Sequence, residues 1–199
     1  MFQKLRRYRW IVLGRLKIRK AIARQSGQGK VKVILGASHT QFPGWIPSDL
    51  PHFNIVNKDD WQALFRHHRA DHLLAEHVFE HLTKEEVRQA LQNCHAWMQP
   101  NGCLRIAVPD ANHANPEYLR LTMPPIHGHL SAWNFETFSA LLSECGFRPQ
   151  PLEYYTHDGK LVTIAINNDN GPLTRSIQAG YAHDVIPEYS SLVIDAFRG

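Results

Sequence analysis

The stretch from Asp71 to Asp110 decides the fold, and it reads DHLLAEHVFEHLTKEEVRQALQNCHAWMQPNGCLRIAVPD. It contains an apolar strand (71–75), a cluster of acidic residues and histidines (76–82), an amphipathic helix, a Pro-Asn-Gly turn and a second apolar strand (103–108). A strand, a helix and a strand joined by a short exit form a parallel crossover. Polar residues that follow such strands collect at the carboxyl edge of the sheet, where open α/β sheets bind ligands.

Five polar residues are site candidates because of this placement, and they are Glu76, His77, Glu80, His81 and Asp110. Histidine is the usual base near neutral pH, and a neighbouring carboxylate fixes its tautomer. His77 and His81 lie about one helical turn apart, with Glu80 beside them. We therefore predict His77 as the first choice of catalytic base, His81 as the second, Glu80 as the residue that orients them and Asp110 as a substrate contact.

Before this stretch, the chain predicts three further strands and a helix. Lys30–Leu35 has the pattern of a buried strand, 45–49 that of a short strand that ends in an acidic residue, and 53–56 that of a third. Asp59 or Asp60 is a suitable N-cap for a helix that runs to about residue 67.

After this stretch, the segment 111–130 is polar, contains prolines and has no clear period, which predicts a loop over the site. A helix is predicted over Asn134–Cys145, where Gly146 ends it. The segments 153–155 and 161–166 predict a hairpin, and 190–197 predicts a last strand. The sequence therefore predicts a three-layer α/β fold whose sheet is mostly parallel, with an antiparallel C-terminal strand and hairpin.

Charge divides the chain into two parts. Residues 1–48 contain 11 Lys or Arg and no acidic residue, whereas the remainder carries 11 basic and 18 acidic residues. We predict a basic N-terminal helix or arm (1–28) and one globular domain (29–199), joined by the linker-like 26–29. The apolar run 10–13 is too short for a secretory signal or a membrane span, and the odd count of three cysteines suits a reducing compartment, so we expect a cytoplasmic protein.

The basic arm has three interpretations. Its apolar residues lie at partly helical spacing among nine basic ones, so the first is a helix or arm that packs on its own domain. The second is a contact of residues 1–24 with a membrane surface or an acidic partner, which would make the protein peripheral to a membrane. Nucleic-acid binding is the least favoured, because the usual interleaving of aromatic and basic residues is missing.

These elements in this order resemble the class I S-adenosylmethionine-dependent methyltransferases. More narrowly, they resemble small predicted members with an L-G-x-G…P-G-W-x-x-x-D opening and an E-H-x-x-E-H-L centre. The opening here reads LGAS at 35–38 and PGWIPSD at 43–49, and the centre reads EHVFEHL at 76–82. The resemblance covers about residues 31–197 and implies a Rossmann-like fold, methyl transfer and S-adenosylmethionine as cofactor.

The resemblance also implies eight cofactor-binding positions, which are Gly36, Ala37, Ser38, Asp49, Asp59, Asp60, Ala75 and Glu76. The small residues after the first strand would form the turn that approaches the cofactor, and Asp49 would accept hydrogen bonds from the ribose hydroxyls. One of the two aspartates at 59–60 would lie near the adenine. Ala75 and Glu76 would line the sulfonium end.

Two features depart from the family pattern. Ser38 stands at the second glycine, where a side chain resists a positive φ. Only nine or so residues join the first two strands, so we expect the usual first helix to be reduced or absent. A non-catalytic binding protein with a methyltransferase fold and a degenerate cofactor pocket is therefore the first alternative.

The second alternative is a zinc peptidase, because 77–81 spells H-x-x-E-H. In such enzymes the motif lies inside a long helix. Here Thr83 and Glu86 form the pattern of a capping box, which predicts that the helix begins after the motif. We accordingly predict no bound metal.

The predicted acceptor is a small molecule or a glycan-type compound that is methylated on oxygen or nitrogen. Aromatic and polar residues in the second half of the chain, Trp133 and His129 among them, are candidates for its pocket. We predict His129, with Asp110, as a substrate contact.

Overall fold

The computed structural model describes residues 2–184, 186 and 189–199, with side chains from residue 6 onward. Its strands are β1 (Lys32–Leu35), β2 (Ile46–Pro47), β3 (Ala70–Glu76), β4 (Met98–Val108), β5 (Phe147–Tyr155), β6 (Leu161–Thr163) and β7 (Leu192–Arg198). Its helices are α1 (Phe2–Gln28), α2 (Lys58–Phe65), α3 (Lys84–Trp97), α4 (Pro116–Thr122) and α5 (Phe135–Glu144).

The strands form one sheet in the order β2-β1-β3-β4-β7-β5-β6. The neighbouring strands β2, β1, β3 and β4 are parallel. β7 is antiparallel to both β4 and β5, and β5 and β6 form an antiparallel hairpin. The register pairs Leu35 with Ala75 and Glu76 with Ala107, so β1, β3 and β4 end at nearly the same level. The predicted α/β sheet with an antiparallel C-terminal strand and hairpin is confirmed.

The two faces of the sheet are covered differently, because alternate residues of a strand point to opposite sides. On one face, Leu35 and Leu73 belong to the same core as buried residues of α1, α2, α3 and α5. On the other, Leu74 lies in a cluster with Trp45, and Val193 in a cluster that Leu173 joins. One outer layer is therefore helical, and loop segments supply the other.

α3 begins where the sequence predicts. Thr83 accepts a hydrogen bond from the backbone of Glu86, and the Glu86 carboxylate accepts one from the backbone of Thr83, which is a complete capping box. The buried residues Val87, Leu91 and Cys94 follow at helical spacing and face the helical side of the sheet.

The predicted strand at 53–56 is wrong, since this segment is irregular and has a turn at 55–56. The Ile55 carbonyl accepts hydrogen bonds from Trp61 Nε1 at 2.8 Å and from Asn93 Nδ2 at 3.0 Å. Side chains of α2 and α3 therefore satisfy a backbone acceptor that a strand ladder would otherwise use. The apolar side chains that suggested a strand, Phe53 and Ile55, are buried in the core.

Asparagine caps account for two further differences. The helix predicted to begin at Asp59 or Asp60 is capped by Asn57, whose side chain accepts from the Asp59 N–H at 2.8 Å. The segment 111–130, predicted as a loop, contains α4, which Asn115 caps in the same way.

α1 shares the core of the domain. Ile18 and Ile22 are buried in the main core, and Arg15 forms an ion pair with Asp60 at 2.5 Å. The helix continues through the predicted linker to Gln28. The basic segment therefore packs on the rest of the chain. Residues on both sides of the predicted boundary after residue 28 belong to one core.

The outer side of α1 carries exposed apolar residues among its basic ones, with Tyr8, Trp10 and Leu13 each more than half exposed. Among the described helices, none has both the length and the apolar character that crossing a membrane requires. Contact of this side with a membrane surface or an acidic partner stays a prediction.

Candidate active site

The chain turns sharply after β1, with two residues in the left-handed region of φ. Gly36 has a φ of 61° and Ser38 a φ of 47°. A Cβ on residue 36 would lie 2.6 Å from Cγ2 of Val78, so glycine is required there on both counts. Residues 36–45, all of them described, contain turns and no helix, so the expected loss of the first helix is confirmed.

Asp49 closes this turn from the end of β2. Its Oδ2 accepts a hydrogen bond from the Ser38 N–H at 2.7 Å, and its Oδ1 accepts one from the Leu50 N–H at 2.6 Å. The side chain is at the surface of the turn, and each carboxylate oxygen has a second lone pair. Asp49 can therefore accept further hydrogen bonds from a ligand.

A cavity of about 330 Å³ opens at these strand ends, and we call it the aspartate cavity. This volume lies within the range of about 300–1,000 Å³ of small-molecule pockets. Its wall includes Gly36, Asp49, Asn54, His77, Val78 and His81.

The two aspartates predicted near an adenine are outside the described wall of the aspartate cavity. Asp60 is buried, and its carboxylate accepts hydrogen bonds from Arg15 at 2.5 Å and from the Asn54 N–H at 2.9 Å. Asp59 is exposed in the first turn of α2. Asp60 therefore ties α1 to the loop before α2.

The predicted contacts at the end of β3 serve the fold. Ala75 is fully buried between Leu35 and Ile106 in the sheet. The Glu76 carboxylate accepts hydrogen bonds from the Thr174 N–H at 2.9 Å, the Thr174 hydroxyl at 2.8 Å and the Arg175 N–H at 2.5 Å. Glu76 thus holds the segment at 174–175 over the sheet instead of facing the aspartate cavity.

A second carboxylate holds the neighbouring part of the same segment. Glu153 is fully buried and accepts hydrogen bonds from the Ser176 hydroxyl at 2.6 Å, the Ile177 N–H at 3.1 Å and the Ser191 N–H at 3.2 Å. Together, Glu76 and Glu153 fix residues 174–177.

Asp110, a predicted substrate contact, is also fully buried. Its two oxygens accept hydrogen bonds from the Asn112 N–H at 2.9 Å and the Tyr155 N–H at 2.7 Å. Burial raises the pKa of this carboxyl to about 6, against the two backbone hydrogen bonds. Asp110 joins the end of β4 to the end of β5.

A larger cavity, of about 480 Å³, adjoins the first, and we call it the histidine cavity. Its wall includes His77, Glu80, His81, His127, His129 and His183. His77 and His81 line both cavities, so the two spaces meet at these side chains.

Both ring nitrogens of His77 face other protein groups. Nε2 lies 3.1 Å from the Ser191 hydroxyl, which donates its own proton to the Arg175 carbonyl, so Nε2 must be the donor to Ser191. Nδ1 lies 3.0 Å from Oε1 of Glu80. The backbone of His77 has a φ of 56°, and its N–H bonds to the Ala107 carbonyl at 2.8 Å. His77 is therefore fixed between Ser191 and Glu80.

Glu80, His81 and His129 form a compact group. One ligand atom from each lies within 4.8 Å of the others. The Glu80 side chain is only 2% exposed, and among the described residues neither of its oxygens has a hydrogen-bond donor, because the His77 contact is not aligned as a hydrogen bond. The His129 Nδ1 donates to the Thr122 carbonyl at 2.5 Å, and burial lowers the pKa of this imidazole.

Comparisons with known proteins identify the architecture. No family model matches the sequence, and no curated protein matches it. Among solved structures, a SAM-dependent methyltransferase from Archaeoglobus fulgidus is similar over 92% of this chain and 94% of its own, with a TM-score of 0.51 and 15% identity. Another, from Thermotoga maritima and described as a possible histamine N-methyltransferase, is similar over 98% and 95%, with a TM-score of 0.50 and 13% identity.

The fold is that of the class I S-adenosylmethionine-dependent methyltransferases. Within this methyltransferase fold, the described residues do not form the arrangement of an H-x-x-E-H peptidase. His77 is engaged with Ser191 and lies outside the 3₁₀ turn Phe79–His81, so it does not share a helical face with His81. His129 approaches Glu80 and His81 in its place.

Sequence reasoning missed several residues of the methyltransferase fold that line the histidine cavity. Arg175 and Tyr189 are two of them, and both lie about a hundred residues beyond the E-H-x-x-E-H-L centre. Burial raises the pKa of Tyr189 to about 12, so its phenol stays protonated and can donate a hydrogen bond. No local pattern marks these two positions, because the fold alone brings them to the cavity.

Proposed function

We propose that this protein transfers a methyl group from S-adenosylmethionine to an oxygen or nitrogen atom of a small-molecule or glycan-type acceptor. The observation that carries this proposal is the junction of the aspartate and histidine cavities at His77 and His81. A group transfer between two molecules requires both to be held side by side in line, and two adjoining cavities can do this.

The residues of the aspartate cavity fit the proposed cofactor. Asp49 keeps lone pairs for the ribose hydroxyls, and the turn at 36–38 lets backbone approach the ligand because Gly36 has no side chain. The wall at 53–55 would receive the adenine, and the exposed Asp59 would contact its edge only from outside that wall. When bound, S-adenosylmethionine supplies the electrophilic methyl group, so the protein has to position the acceptor and remove its proton.

Proton removal needs a ring nitrogen that faces the acceptor with an open lone pair. His77, the first choice from the sequence, has both nitrogens turned toward Ser191 and Glu80. We assign His77 to positioning Glu80. His81 is exposed and lines both cavities, so it becomes the first choice of base.

The histidine cavity suits a polar acceptor. Imidazoles, the Tyr189 phenol and Arg175 contribute to its wall, and these groups hydrogen bond to hydroxyls, amines or anionic substituents. One solved structure of this fold is described as a possible histamine N-methyltransferase, and histamine is a small amine. This likeness supports an acceptor of similar size.

Calorimetric titration with S-adenosylmethionine and S-adenosylhomocysteine tests the proposal. We expect micromolar binding that weakens at least tenfold, about 1.4 kcal/mol, in Asp49→Ala. Asp49→Asn should weaken it less, because an amide keeps one acceptor oxygen. The matched control is Glu85→Gln, an exposed carboxylate in the first turn of α3, which should bind as the wild type does.

Two results would overturn the proposal. Absence of binding to the folded wild type would favour the alternative of a non-catalytic protein with a degenerate pocket. Equal binding by wild type and Asp49→Ala would move the cofactor away from the aspartate cavity. A thermal melt of each variant separates loss of binding from loss of fold.

A further inference from the structure

We propose that Glu80, His81 and His129 bind a divalent transition-metal ion of the zinc type in the histidine cavity. The site goes beyond the proposed methyl transfer, and zinc binding can be measured without S-adenosylmethionine. It also replaces the expectation from sequence that no metal is bound.

The first argument is the state of the Glu80 carboxylate. It is 98% buried, and among the described residues neither oxygen receives a hydrogen bond. Leaving a buried carboxylate without donors is costly, and such groups are normally paired or bound to a metal ion. The His77 ring contacts one side of the carboxylate at 3.0 Å without a hydrogen bond, and His81 and His129 approach the carboxylate as well.

The second argument is the orientation of His129. Its Nδ1 donates to the Thr122 carbonyl at 2.5 Å, so the proton of the neutral ring is on Nδ1 and the lone pair is on Nε2. A backbone carbonyl that fixes the tautomer of a histidine in this way is the usual outer contact of a metal-binding imidazole. His129 is buried and therefore held in this orientation.

The third argument is distance. Two ligand atoms on one tetrahedral zinc ion, each with a bond of about 2.1 Å, are about 3.4 Å apart. The ligand atoms of the three residues lie within 4.8 Å of one another. A contraction of about one ångström would therefore bring them to the spacing that zinc requires. His81 is exposed and can make that shift, since its ring meets His129 edge-on with 4.8 Å between centroids.

The ligand set indicates which ions fit. Two imidazoles and one carboxylate favour zinc and similar first-row ions, whereas magnesium and calcium prefer oxygen ligands. Three protein ligands leave coordination positions open. Because the site lies in the histidine cavity of about 480 Å³, an acceptor in this cavity can reach those positions. His81 cannot donate the same lone pair to a metal and to a proton, so the zinc-loaded protein would not use it as a base.

The test is calorimetric titration of untagged, EDTA-treated protein with Zn²⁺, followed by metal analysis of the dialysed complex. We expect one equivalent at high affinity, with no response to Mg²⁺. Glu80→Gln and His129→Gln should each weaken zinc binding by about a hundredfold. His81→Asn provides a variant at an exposed position, where loss of binding cannot be attributed to misfolding.

The matched control is His127→Gln, which changes an exposed histidine of the same cavity outside the three-residue group. It should bind zinc as the wild type does. This control matters because the chain has 13 histidines, and those outside the proposed site can also bind zinc weakly. If His127→Gln weakens binding as much as His81→Asn, or if the wild type binds no more tightly than Glu80→Gln, the site does not exist. Neither result bears on S-adenosylmethionine binding to the aspartate cavity.

Discussion

The Asp49 carboxylate accepts the backbone N–H of Ser38 at 2.7 Å, and this bond ties the end of β2 to a residue whose φ is 47°. A non-glycine residue in this region carries strain of about 1–3 kcal/mol, and surrounding contacts have to hold it in place. The carboxylate proposed to bind the cofactor is thus also what holds the turn in its strained form.

Substitutions of Ser38 should separate backbone strain from loss of the side chain. Ser38→Gly keeps the N–H to Asp49 and removes the strain, so we expect the free energy of unfolding to stay equal or rise by up to about 1 kcal/mol. Ser38→Val adds a β-branched side chain at a positive φ and should lower it by about 1–2 kcal/mol. Urea denaturation measures both, and equal stabilities of the two variants would contradict the described turn.

Gly36→Ala should destabilise the protein by about 2–3 kcal/mol. The added Cβ meets Val78 Cγ2 at 2.6 Å, and alanine resists the φ of 61°. In a double-mutant cycle, Val78→Ala should cost less in the Gly36→Ala background than in the wild type, because it relieves the overlap. Strict additivity of the two changes would mean that the methyl groups do not meet.

Removing one partner of a buried ion pair should have a large effect. Arg105 and Asp195, on β4 and β7, are buried and joined by two contacts of 2.7 Å. Arg105→Met should lower the free energy of unfolding by about 3–5 kcal/mol, and Arg105→Met with Asp195→Leu by less than the single change.

The exposed pair of Arg88 and Glu144 provides the control for that experiment. Arg88→Met should cost less than about 1 kcal/mol, because surface pairs are well solvated. A similar cost for Arg88→Met and Arg105→Met in urea denaturation would contradict the role given to burial.

His113 should make stability depend on pH. Burial lowers its pKa to about 4 from an ordinary value of 6.5, so the folded state keeps it neutral while the unfolded chain takes up a proton. Above pH 6.5 the imidazole is neutral in both states and does not lower the free energy of unfolding. As pH falls from 6.5 toward 4, protonation of the unfolded chain lowers the free energy of unfolding by about 3 kcal/mol. The stability of His113→Phe relative to the wild type should therefore rise by about that amount between pH 7 and pH 4.

The neighbouring Asp110 works in the opposite direction. Its raised pKa, about 6, favours the protonated form, so its contribution is largest at low pH and is lost as pH rises through 6. Wild type and His113→Phe both contain Asp110. The difference between their free energies of unfolding, measured by denaturation at several pH values, is therefore free of the Asp110 contribution. The exposed His157→Gln serves as control, and a His113→Phe variant that parallels the wild type at every pH would contradict the assignment.

Ile22→Ala should show that α1 belongs to the domain core. Ile22 is fully buried, so its truncation should cost about 2–4 kcal/mol in urea denaturation. Leu13→Ala, on the exposed side of the same helix, should cost far less. If both variants unfold like the wild type, α1 does not pack as described.

The strands and the main helix of the fold could be predicted because their signals are local. The alternation and apolar runs around β1, β3 and β4, and the reciprocal cap of Thr83 and Glu86, depend on neighbours within a few residues. The failure at 53–56 has a non-local cause, because Asn93 and Trp61 supply donors that the sequence around Ile55 does not reveal.

The same limit applies to the candidate site. The sequence places Glu76 and Asp110 correctly at strand ends, but their hydrogen bonds run to Thr174 and Tyr155, which are 98 and 45 residues away. Likewise, His129 meets Glu80 and His81 only because the segment after α4 folds back over them. The chemistry at an edge of a sheet can therefore be predicted, but whether a carboxylate there serves a ligand or the fold requires the structure.

The two carboxylates that fix residues 174–177 decide how a molecule can enter the histidine cavity. Moving residues 174–177 away from the sheet would break the hydrogen bonds of Glu76 and Glu153 at the same time. The Glu153 carboxylate is fully buried. His127 lies in the wall outside this segment and is exposed to solvent. We therefore expect ligands to exchange past His127, where a bulky substitution should slow entry and release without shifting the equilibrium.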